Sequence, residues 1–427
     1  MKTCRPIMLL AGMCALAPTR AHTQTAGDIG ATLMRRPDVR AALEWVRTDE
    51  PRAIDDQIRL CEIPAPPFKE SDRARAYADA FRRAGLRNVR IDQQGNVLGE
   101  RPGHAASSPP PGAASPRLVF SAHLDTVFPE GTNVHVTRDG TLLKGPGIGD
   151  DCRGLAVILA VVRAMNQKNV QTAGPITFVG TVGEEGLGDL RGVKALFNDT
   201  LRGQIDRFVS LDGSGYGITH RGVGSRRYRV TFRGPGGHSY SAFGLANPAH
   251  ALGRAVAAFA DLQVPADPKT TFAVGRIGGG TSVNAIPFES WMEVDMRSVD
   301  AAALQALESG FLKAVDAALA AENARWNQNG QLTVEKQLVG DRPAGLTPAS
   351  SPIVEAAVSV TRALGLIPTL DEGSTDANTA MSLGIPAITV DAGGRGTGAH
   401  ALEETFDTAE SWKGTQRALL LAIALAE

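Results

Sequence analysis

Eight carboxylate or imidazole side chains able to hold a cation fall in five short segments of the chain. His123 and Asp125, in SAHLDTV, are two residues apart on an extended stretch and so share a face. Asp150 and Asp151 occupy a glycine-rich turn, GPGIGDDCRG, that opens an apolar run. Glu184 and Glu185 follow a β-rich segment directly in TVGEEGLG, Asp212 ends FVSLD, and His400 lies in GTGAHALEE near the carboxyl terminus. Each group alone is a weak signal. Neighbouring carboxylates at a strand end are costly to ionise together unless a cation neutralises them, and their recurrence in one chain points to bound metal. Other chemistries lack their signatures. The glycines around Gly145 and at Gly278 to Gly280 have neither the Walker lysine nor the GxGxxG spacing of a phosphate loop. No GxSxG elbow for a serine nucleophile occurs.

These groups need a frame to bring them together. Arg117–Ala122, Ile176–Val182, Phe208–Leu211 and Ala387–Val390 read as short strands, and Leu155–Met165, apolar nearly all round, as a helix packed on a sheet. Strands alternating with helices predict an α/β fold with a mixed, mostly parallel sheet flanked by helices. Active residues in such folds gather at the carboxyl ends of strands. The texture changes over residues 224–339. Tyr228, Val230 and Phe232 alternate as on a strand with one exposed face, helical stretches follow at Pro248–Leu262 and Ala301–Ala321, and strands stand near Phe272–Ile277 and Ser290–Met296. That segment reads as a small α+β domain inserted into a larger one made of residues 27–223 and 340–427. A length of 427 residues also favours two domains over one. Arg101–Pro116, rich in Pro, Ala and Ser, reads as a surface loop.

Hydrophobic content of 43% and charged content of 21% are ordinary for a soluble protein, and a net charge of -1 argues against a nucleic-acid or anionic-membrane partner. Residues 1–26 read as an export signal: Lys2 and Arg5, then apolar Ile7 to Ala17, then small Thr19 and Ala21. Cleavage near Ala21 or Ala26 would give a periplasmic or extracellular product. About eleven apolar residues are too few to span a bilayer, which takes roughly twenty, so no stable membrane insertion is expected. Cleavage removes Cys4 and Cys14; Cys61 and Cys152 remain, no disulfide framework, and whether they pair stays open.

The motifs HLD, GPGIGDD, GEEG, LDG, GGHS, GTSVNAIP, DMRS, GSTDAN and GAH follow one another along nearly the whole mature chain. In content and order they resemble the zinc-dependent exopeptidases and deacylases related to peptidase T, glutamate carboxypeptidase, aminoacylase and succinyl-diaminopimelate desuccinylase. The resemblance implies two zinc ions, with cobalt or manganese as substitutes, bridged by Asp150. One would also take His123 and Asp212, the other Glu185 and His400. Glu184 would be the general base, Asp125 would hold the His123 imidazole in orientation, and Asp150–Asp151 would be a cis peptide. In the inserted domain, His238 would donate to the tetrahedral oxyanion from the other subunit of a homodimer formed through that domain. Asn284 and Arg297, thirteen residues apart, match a substrate clamp, in which a guanidinium fork suits a free carboxylate. Ser374 would contact substrate or belong to a structural turn. Two departures stand out: Cys152 and Arg153 replace a usual Lys and Gly, and Asp212 holds a position that varies between Asp and Glu. Neither removes a ligand.

Two zinc ions sharing a carboxylate would lower the pKa of a water and polarise the scissile carbonyl, while Glu184 takes the water's proton and passes it to the leaving amine. The expected activity is hydrolysis of short peptides, favoured by the LDG segment and the THRG after it. A deacylase or carboxypeptidase acting on acyl-amino acids is the alternative. His238, Asn284 and Arg297 on a separate domain imply a lid that closes over the metals. A binding protein without catalysis would have no need of Glu184 beside a complete ligand set.

Overall fold

The computed structural model describes residues 29–104 and 116–427. The expected export signal at 1–26, and most of the Arg101–Pro116 loop, lie outside the described residues. No helix among the described residues is long and apolar enough to cross a membrane.

The larger domain is built on a nine-stranded sheet. At its centre the strands Ile176–Thr181, Leu118–His123, Arg207–Leu211 and Ala387–Val390 run parallel, in that spatial order. They are short, apolar and largely buried, as central parallel strands must be when helices cover both faces. Leu118, Phe120 and Ala122 enter the core beneath the helices Pro37–Cys61, Cys152–Gln167 and Trp412–Leu425, whereas Val119 faces the opposite core with Phe208 and Met381. The flanks turn antiparallel, through Val97–Arg101 and Arg87–Ile91 on one side and Gly217–Gly222 and Gly345–Leu346 on the other. Parallel order at the centre decides where chemistry can sit. His123 pairs with Thr181 and Leu211 with Val390, so Glu184, Glu185 and Asp212 leave the sheet along one rim.

The helix Cys152–Gln167 is buried from Cys152 to Met165, which explains its all-round apolar sequence. Asp151 caps it by accepting from the Gly154 N–H at 3.0 Å, and also accepts from the His123 N–H at 2.9 Å. The helix start is thereby tied to the strand end that carries His123. A small antiparallel sheet, Thr137–Asp139, Leu142–Lys144, Thr405–Asp407 and Arg395–Thr397, lays the 145–150 loop beside the 398–404 turn. Asp150 and His400, remote in sequence, meet for this reason. Cys61 and Cys152 are both buried as free thiols, in a cluster with Ile148 and Phe406.

Between Gly222 and Gly345 the chain builds a second sheet, ordered Thr270–Gly279, Glu289–Ser298, Gly224–Arg233 and Thr333–Arg342, all antiparallel. The helices Pro248–Ala260 and Ala301–Arg325 cover one face, with Phe259 and Phe311 against Val230, Phe232, Met292 and Met296. The other face is open and carries Arg227, Arg229 and Arg233 paired with Asp295, Glu293 and Glu289. The last strand ends at Arg342, past the expected boundary at 339.

Candidate metal centre

Asp150 is the hub of the site. His123 Nε2 lies 2.9 Å from its Oδ1, and His400 Nε2 lies 3.2 Å from its Oδ2. Asp212 Oδ1 stands 3.9 Å from His123 Nε2, and Glu185 Oε1 stands 3.0 Å from His400 Nε2. Two ligand groups result, His123–Asp150–Asp212 and Asp150–Glu185–His400, each with its donor atoms within 4.8 Å of one another. Imidazole nitrogens and carboxylate oxygens are what zinc and similar ions take. The donor set fits a pair of divalent cations.

The electrostatics call for added positive charge. Burial, reinforced by Asp150, pushes Asp212 well above the usual carboxylate range. Burial also pushes Glu184 up to about 8, against the pull of Arg342. For Asp150 burial opposes ionisation, but hydrogen bonds from His123 and His400 outweigh it and hold the carboxyl below its ordinary range. Burial would lower His123, yet the bond to Asp150 and the charge of Asp151 raise it well above a normal imidazole. Hydrogen bonds to Asp150 and Glu185 lift His400 to about 10.

Surrounding groups fix these side chains. His123 Nδ1 lies 3.0 Å from the main-chain oxygen of Asp125, which leaves Nε2 for the cluster. The Asp125 carboxylate, 3.7 Å from that nitrogen, accepts instead from the N–H groups of Glu184 and Glu185 at 3.0 and 2.9 Å. Asp125 was expected to orient the ring; its carbonyl meets the imidazole, while its carboxylate is taken up elsewhere. The reason is local: two N–H groups just past a strand end are strong partners for a buried carboxylate. The 147–150 loop is cradled by Glu404, which accepts from Gly147, Gly149 and Asp150 at 2.9, 2.7 and 3.0 Å, and burial pushes its carboxyl up to about 7. The Asp150–Asp151 peptide is cis.

Distance alone would also group Glu184 with His123 and Glu185. What separates Glu184 is Arg342, whose Nη1 lies 3.3 Å from Glu184 Oε1, while the cluster's other carboxylates pair only with imidazoles among the described residues. Arg342 also donates to the Glu184 carbonyl and, at 3.2 Å, to Ser374 Oγ. A cleft of about 460 Å³ opens above the cluster, with Arg227, Arg297 and Ser374 in its wall. Arg297 and Ser374 therefore border the opening above the two ligand groups. His238 and Asn284 do not line it. They sit on an exposed ribbon, Gly237–His238 paired with Ala285–Ile286, beside exposed Tyr240, Phe243, Val283 and Phe288. Sequence reasoning missed Arg342 and Glu404. Arg342 stands in DRPAG, with no ligand-type pattern around it; Glu404 ends GAHALEE, where a second carboxylate close to a ligand histidine was a usable signal.

A parallel-centred α/β domain that gathers two ligand groups around one shared aspartate, beside a second domain, defines a metal-dependent hydrolase. Residues 119–424 match the sequence model of peptidase family M20/M25/M40, and the chain belongs to that family of metallopeptidases. Uncharacterized protein YqjE of Bacillus subtilis (strain 168) is 24% identical over 356 residues, 81% of this chain and 91% of that one. Aminopeptidase PepT from Bacillus cereus shares the fold with a TM-score of 0.70 and 21% identity, over 88% of this chain and 99% of that one. The Bacillus subtilis YXEP protein, a dinuclear metal-binding peptidase of family M20, does so with a TM-score of 0.65 and 17% identity, over 88% and 98%.

Proposed function

We propose that this chain hydrolyses peptide bonds in short peptides at a pair of zinc ions, with Glu184 as general base. The observation that carries this reading is Asp150, whose two oxygens face two imidazoles, each with a further carboxylate behind it. When bound, the cations would polarise the scissile carbonyl and lower the pKa of the attacking water. Bound cations would favour the ionised form of Glu184 against the effect of its burial, and beside Arg342 it would take the water's proton and deliver it to the leaving nitrogen. Asp125 holds the main chain of Glu184 and Glu185 in place through their N–H groups. Arg297 is tied to Asp295 through Nε at 2.6 Å, which leaves both terminal nitrogens for the two oxygens of a substrate carboxylate, with Ser374 nearby in the same wall. That fork equally supports a second reading, hydrolysis of acyl-amino acids. His238 and Asn284 act in the cleft of a second copy of the chain.

Zinc-loaded protein should cleave di- or tripeptides, lose activity to a chelator and recover it with zinc. Glu184→Ala should lower kcat by about 10²- to 10⁴-fold while metal content is retained. Loss of metal together with activity would make Glu184 a ligand and remove the base assignment.

A further inference from the structure

Glu184 is almost fully buried, and among the described residues its carboxylate has one hydrogen-bond donor, Arg342. That guanidinium grips the residue twice, at Oε1 of the side chain and at the main-chain carbonyl, while Nη1 also reaches Ser374 Oγ. Holding one residue at both its side chain and its backbone fixes the torsions between them. A base gains from this, because proton transfer needs its acceptor oxygen within hydrogen-bond reach of a defined water.

Arg342 also has a particular place in the fold. It is the last residue of the Thr333–Arg342 strand of the inserted domain, paired with Ser225, and the chain rejoins the main sheet at Gly345. Neighbouring residues at the roots of the inserted sheet bind the segment that follows the base. The Asp341 N–H donates to Asp189 at 2.8 Å, Lys194 Nζ donates to the Asp341 carbonyl at 2.8 Å, and Arg227 Nη1 donates to the Gly186 carbonyl at 2.9 Å. Three residues on two strands, Arg342, Asp341 and Arg227, thus join the base of the inserted domain to Glu184 and the segment that follows it.

We propose that Arg342 is the positioning residue for Glu184 and that, with Asp341 and Arg227, it ties the orientation of the base to the position of the inserted domain. This rests on Glu184 being the base. The competing role, a fork for a substrate carboxylate, fits the geometry poorly. Three of its five N–H groups are given to Glu184 and Ser374, and Nε, the nitrogen without a partner among the described residues, is buried, so a side-on grip through Nε is closed to a substrate carboxylate. Arg297 has both terminal nitrogens to offer.

The test compares wild type, Arg342→Met and Arg342→Lys as full-length zinc-loaded proteins, on a dipeptide and on its carboxyl-terminal amide. Arg342→Met should lose about 100-fold or more in kcat, with KM within about threefold on both substrates and zinc content unchanged. Guanidinium ion added at millimolar levels should return part of the rate. Arg342→Lys, which can meet Oε1 but not both oxygens, should fall between the two. A KM rise confined to the free-acid dipeptide, with kcat kept, would overturn the proposal in favour of a carboxylate ligand. Lost zinc, or lost activity in both variants with no rescue by guanidinium, would overturn it in favour of a purely structural arginine. Turnover retained by Glu184→Gln would remove the base assignment itself, a result the Arg342 variants cannot produce.

Discussion

At the scale of single residues, His400 gives the sharpest consequence. Its pKa of about 10 comes from hydrogen bonds to Asp150 and Glu185, so in the cation-free protein it is protonated throughout the neutral range. A cation must expel that proton. Zinc affinity should therefore rise as pH climbs toward about 10, and calorimetry at pH 7 in buffers of different ionisation enthalpy should register proton release. The linkage has the opposite sign for the cation-free fold: the raised imidazole stabilises it fully below about pH 6.5, and that contribution fades as pH climbs toward 10. A pH-independent affinity would remove His400 from the ligand set. The ligand-type residues that meet here were visible beforehand because strand-end carboxylates have a recognisable cost. Arg342 was not, because its role depends on one distant glutamate and no local pattern marks it. That Asp125 would meet the ring through its carbonyl, with its carboxylate on main-chain N–H groups, was not legible, because sequence does not display main-chain partners.

At the scale of elements, the Glu404 cradle sets how firmly the 147–150 loop is held. Glu404→Ala would leave three donors without their acceptor at a nearly buried position, and should cost about 3 kcal/mol in urea unfolding of the metal-free protein. It should also weaken zinc binding. Glu404→Gln, with one acceptor oxygen, should lose less; equal stability of all three proteins would mean the small sheet alone holds the loop. The four central strands and the helix after Asp151 were legible in advance, since short apolar runs and an apolar helix have few other places to go. The long helix Pro37–Cys61 was not. Its inward side includes Glu50 and Asp56, which pair with Arg153 and Arg163 of the central helix, so buried charge blurs the pattern an amphipathic helix normally shows. The same contacts account for Arg153 beside the apolar core: its guanidinium is fully buried, against Glu50 and the Ser411 carbonyl.

At the scale of the whole molecule, the exposed ribbon with His238 and Asn284 bears on how many chains make one site. If these residues serve a second copy, the protein should sediment as a dimer, and mixing inactive His238→Ala with inactive Glu184→Ala should restore part of the activity through hybrid dimers. A monomer with full activity would exclude that arrangement. The paired-cation reading itself is tested most directly by anomalous diffraction at the zinc edge from zinc-loaded crystals. Two peaks about 3.5–4 Å apart are expected, one beside His123 and Asp212, the other beside Glu185 and His400, with Asp150 between them. A single peak, or peaks away from Asp150, would contradict it.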